Sequence, residues 1–74
     1  MPRPVLKVRQ VVKRMQDMGV TVKRGKGSEL KLARPGFHLY TIKAHGEGDD
    51  VYPYVITAAI RRLGLDEEEF WSRI

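Results

Sequence analysis

The chain has no cysteine, so neither a disulfide framework nor a thiolate-bound metal can hold it together. It has two histidines, His38 and His45, too few to build a structural metal site without several added carboxylates. No cofactor or metal is expected. Long apolar runs are also missing: none approaches the roughly 20 residues needed to cross a bilayer. The first residues lack the apolar stretch of a signal peptide, so the expectation is a cytoplasmic protein without membrane contact. Acidic residues are scarce where basic ones are dense. Residues 1–45 carry eleven Lys and Arg against Asp17 and Glu29, a net of +9, whereas residues 46–74 carry three Arg against seven acids, a net of −4. Such a division suggests a basic face for a polyanion and a separate acidic end, and it puts nucleic acid first among partner classes.

With 74 residues, one domain spanning 1–74 is expected. A chain of this size buries only roughly 60% of its unfolded surface, so stability has to come from a well-patterned core. The centre of that pattern is Arg24-Gly25-Lys26-Gly27-Ser28-Glu29-Leu30-Lys31-Leu32. Glycines and a serine separate two runs that alternate apolar and polar residues, which is a hairpin with a basic turn. Alternation places Val20, Val22, Leu30 and Leu32 on one face and Thr21, Lys23, Glu29 and Lys31 on the other. Arg34-Pro35-Gly36 forms a second turn. Phe37 to Lys43 is expected as a third strand, with Tyr40 and Ile42 facing the core and Leu39 and Thr41 facing away. By the same alternation His38 falls on the Tyr40 side, partly buried or at an edge.

Helical periodicity flanks the strands. Val8, Val11, Val12, Met15 and Met18 make one stripe between about Leu6 and Met18, ended by Gly19. Pro53 opens a second helix running to Leu63, whose stripe is Val55, Ile56, Ala59, Ile60 and Leu63. Asp66 with Glu69 reads as a capping box for a short helix from Glu67 to about Arg73, which brings Phe70, Trp71 and Ile74 toward the core or a partner. The segment from Ala44 to Val51 reads as a loop, without the ligand spacing of a calcium site. The expected fold is α+β, a two-layer α-β-β-β-α sandwich with an added short C-terminal helix.

The order of these features resembles a known family. The basic Arg24–Ser28 turn, the Pro35-Gly36 corner, Thr41-Ile42, His45, and Val55-Ile56 through Ile60-Arg61-Arg62-Leu63-Gly64-Leu65 followed by Asp66-Glu67-Glu68-Glu69-Phe70 are similar to the HicA (YcfA-like) toxins, over about residues 7 to 70. The resemblance implies a fold like that of double-stranded-RNA-binding domains. It also implies metal-independent mRNA cleavage and silencing by a HicB-like antitoxin bound over the active face. In that family a catalytic histidine directly follows the glycine-serine pair. Here the position is Glu29, the next position, often a second histidine, is Leu30, and a common proline is replaced by Lys43.

The change at Glu29 matters chemically. Metal-free RNA cleavage needs a group that removes a proton from a 2′-hydroxyl and a group that protonates the leaving oxygen, and imidazole can do either near neutrality. A solvated carboxylate is already ionised there, a weak base, and it repels phosphate. The leading expectation is therefore an RNA-binding protein with little or no ribonuclease activity. Its contacts would come from Lys23, Arg24, Lys26, Ser28, Glu29, Lys31, Lys43 and His45, with no catalytic residue assigned. One alternative is an active mRNA interferase paired with an antitoxin. The other is a non-catalytic protein-interaction module anchored by Phe70, Trp71, Tyr52 and Tyr54.

Overall fold

A computed structural model describes residues 3–25, 27–44, 46 and 48–72. The elements run β1 (Leu6–Lys7), α1 (Val8–Asp17), β2 (Thr21–Arg24), β3 (Glu29–Ala33), β4 (Tyr40–Lys43), β5 (Asp50–Val51), α2 (Pro53–Arg62) and α3 (Glu67–Ser72). Strands β2, β3 and β4 form an antiparallel meander with β3 in the middle, and the helices cover one face of it, giving the expected α+β sandwich.

Burial follows the two periodicities. Val8, Val11 and Met15 of α1, Leu30, Leu32 and Ile42 of the sheet, and Ile56, Ala59 and Ile60 of α2 are all buried. Val12, Val22 and Tyr40 pack at the margin of this core. Removing each of the large apolar side chains from water contributes about 1.5–3 kcal/mol. Phe70 of α3 is fully buried, with the Trp71 ring edge-on at 5.2 Å and the Arg14 guanidinium 5.6 Å from its centroid. Partial burial there lowers the Arg14 pKa from its ordinary value, but a guanidinium stays protonated at neutral pH. Among the described residues, the Trp71 Nε1 is the one buried side-chain polar atom without a hydrogen-bond partner. Ile74 lies outside the described residues.

Three expectations about the elements need correction. The segment from Ala44 to Val51 is not wholly loop, and the first helix does not begin at Leu6. Leu6 pairs with Val51 and Lys7 with Asp50, in a two-stranded ribbon separate from the meander. The Lys7 Nζ lies 2.6 Å from the Asp50 Oδ1, and the Val8 N–H donates to the Asp49 carbonyl at 2.9 Å. That carbonyl takes up a donor which α1 would otherwise leave unpaired at its first turn, so helix starts where the ribbon ends. The Gln10 Oε1 accepts from the Lys7 N–H at 2.8 Å and serves a second orphan donor.

The third strand is also shorter than expected. It begins at Tyr40 because Phe37 turns away from the ladder and packs its ring over Gly64, beyond the C-terminus of α2. Arg34 fixes that corner. Its Nη1 donates to the Leu63 and Gly64 carbonyls at 2.8 and 3.0 Å, while its guanidinium lies 4.6 Å from the Phe37 ring centroid. One cation thus caps a helix end, where the dipole is negative, and joins it to the turn between β3 and β4. His38, in this non-strand segment, is exposed.

At the start of α3 the Asp66 Oδ1 accepts from the Glu69 N–H at 3.0 Å, the N-cap half of the expected box. Asp66→Ala is therefore expected to cost about 1 kcal/mol. In a thermal melt this reads as a fall of roughly 4–8 °C, and an unchanged midpoint would show that the cap contributes nothing.

Candidate nucleic-acid interface

The face of the meander that turns away from the helices carries the candidate residues, and strand register sorts them into rows. Thr21 pairs with Ala33, and Leu39 follows on β4's side just before the ladder begins. Lys23 pairs with Lys31, and Lys31 with Thr41. Gly25 bonds back to Glu29, its N–H donating to the Glu29 carbonyl at 2.9 Å, and Glu29 pairs with Lys43. Rows lie about 7 Å apart along the strands, and neighbours within a row about 5 Å apart.

Lys23, Lys31 and Lys43 thus share one exposed face. Among the described residues none of the three takes part in an ion pair; the pairs there are Lys7–Asp50 and Lys13–Asp17. Like charges directly opposite on a sheet repel, so the Lys23–Lys31 pair is a local site of positive potential. Arg24 is exposed but separate. It pairs with Leu30, which puts it on the Val22 side of the pleat rather than with the lysines. Ser28 is half-buried, and its carbonyl accepts from the Ala44 N–H, extending the β3–β4 ladder by one step. Lys26 and His45 lie outside the described residues.

Glu29 occupies the middle of its row and is half-buried. A β-carbon built on Gly25 would come within 3.1 Å of the Glu29 Oε1 and 3.0 Å of the Lys31 Cε. The Glu29 carboxyl and the Lys31 stem therefore close over a bare stretch of backbone. Any side chain at position 25 would have to displace both.

Sequence reasoning named the lysines but not the apolar part of this face. Phe37 and Leu39 are 45% and 53% exposed. Together with Lys23, Lys31, Arg34 and Pro35 they line a shallow groove of about 580 Å³ beside the basic row. The available signal was Leu39 itself, an apolar residue at an outward-facing position. Tyr52 and Tyr54 stack on each other, with centroids 6.2 Å apart and planes 7° from parallel, but they belong to the helical layer and not to the sheet face. Among the described residues, no cluster of His, Asp and Glu could hold a metal ion, and no helix is long and apolar enough to cross a membrane.

The fold and this face define a small α+β domain with a basic outer sheet. A family model described as the HicA toxin of bacterial toxin–antitoxin matches residues 8–65, and the chain belongs to that family. No curated protein and no solved structure gives a significant match.

Proposed function

We propose that this chain, read as one domain over residues 1–74, is a HicA-type RNA-binding protein with weak or no ribonuclease activity. The observation that carries the reading is the row order on the sheet face: exposed lysines at 23, 31 and 43, without an ion pair among the described residues, surround Glu29, the position where the family places its catalytic histidine. The lysines supply contacts to phosphate, which give affinity with little sequence preference. A carboxylate in that place lacks the acid–base range of an imidazole and opposes a phosphate brought close to it. Family membership supports an RNA target and an antitoxin partner, the latter covering the same face.

Binding to a fluorescein-labelled single-stranded RNA, followed by anisotropy, tests this reading. Three to four phosphate contacts should weaken binding roughly 20–50-fold between 50 and 200 mM salt. Lys31→Ala should reduce the affinity and lower the slope of log K against log salt by about one contact. A slope near zero, or a slope that Lys31→Ala leaves unchanged, would count against RNA binding on this face.

A further inference from the structure

We infer that the groove between Phe37, Leu39 and the Lys23–Lys31 pair is a subsite for one unpaired nucleotide, with its base against the apolar row and its phosphate between the two lysines. This rests on the proposal that the sheet face binds RNA, and it adds that the strand must be single where it meets this end of the face. The argument is one of polarity order. Thr21, Ala33 and Leu39 make a row without charge, extended by the Phe37 ring, and the next row toward Glu29 presents Lys23 and Lys31 side by side. Among the described residues no acid lines the groove. A ligand that fits must be flat and apolar at one end and anionic about 7 Å away, on the order of the row spacing. A nucleotide has that form, and base stacking on exposed aromatic side chains is how single strands are held without sequence readout. A base paired in a duplex keeps its faces stacked on its neighbours and cannot offer one to Phe37.

Phe37 is presented rather than loose. Gly64 supports its ring and Arg34 lies against it, so ordering it costs little when a base arrives. Leu39 stands more than half in water.

The test uses three forms of the full chain (native, Leu39→Ala and Phe37→Ala) and two probes. One probe is a labelled octamer of oligoadenylate, and the other is heparin, a polyanion without bases. Both substitutions should weaken oligoadenylate binding about fivefold or more while moving heparin affinity less than twofold. Leu39→Ala removes an exposed side chain, so its result stands even if Phe37→Ala loosens the corner at Arg34. Equal affinity of native and Leu39→Ala chains for oligoadenylate, or equal losses on both probes, overturns the subsite. RNA binding itself survives those outcomes if the native chain keeps its steep salt dependence. A native chain that binds no RNA at any salt, but does bind an acidic peptide that Leu39→Ala releases, overturns both readings.

Discussion

Gly64→Ala should lower the melting temperature by more than about 8 °C, the larger of two glycine effects that look alike in the sequence. Gly19 and Gly64 each follow a helix, each has a positive φ (87° and 66°), and each sits in the same hydrogen-bond arrangement. The Val20 N–H donates to the Met15 carbonyl and the Leu65 N–H to the Ile60 carbonyl, both at 2.9 Å. Alanine at either position bears the left-handed backbone cost, about 1–2 kcal/mol. At Gly19 nothing lies within 4 Å of the added methyl, so the cost ends there. At Gly64 the methyl would lie 2.6 Å from the Phe37 Cζ and closer still to its Cε1. Forcing the ring aside adds about 1–3 kcal/mol and disturbs the Arg34 cap beside it. A total of about 2–5 kcal/mol is a large part of the stability of a domain this small. Adding Phe37→Ala to Gly64→Ala should recover part of the loss by removing the collision. Equal melting temperatures for Gly19→Ala and Gly64→Ala would mean that Phe37 does not rest on Gly64.

That contact shows where the sequence could be read and where it could not. The α1 and α2 stripes and the alternation of β2 and β3 are local signals, since each follows from a period of 3.6 or 2 within one element, and burial matches them. The Arg34-Pro35-Gly36 turn is likewise encoded by its own residues, and the Phe37 N–H closes it on the Arg34 carbonyl at 3.0 Å. The β1–β5 ribbon has no local signature. Two residues are too few to show alternation, and Leu6 meets a partner 45 positions away. Its first strand also borders a helical stripe, which absorbs Leu6 into the wrong element. The shortening of β4 was hidden for a related reason, because Phe37 is held by Gly64 and Arg34, contacts fixed only when α2 docks. A count of basic residues does not say on which face Arg24 stands, whereas register sets it with Val22. Charge composition thus suggested a basic face, and strand pairing shows which of its residues stand side by side.

Position 29 is where these two kinds of information meet. Glu29→His is expected to create RNA cleavage at least about 100-fold above that of the native chain, the lower range for an added general acid–base group. The scaffold around it is in place. The site is half-buried at the centre of its row, with Lys43 opposite and the Lys31 stem beside it. An imidazole on the same β-carbon would lie on the same face of the sheet. Nearby cations disfavour the charged ring, so the variant's rate should rise with pH through a midpoint at or below the ordinary histidine value of about 6.5. Glu29→Gln separates chemistry from simple relief of repulsion. Both variants lose the carboxylate and should bind RNA a few-fold more tightly, but cleavage should appear only with histidine. The measurement is a time course on a labelled mRNA in the presence of a chelator, with all three chains at equal concentration. Cleavage by the native chain would establish a working interferase and overturn the binding-only reading. Tighter binding by both variants without cleavage by either would show that Leu30 and Lys43, which also depart from the family pattern, have removed more of the catalytic apparatus than one side chain can restore.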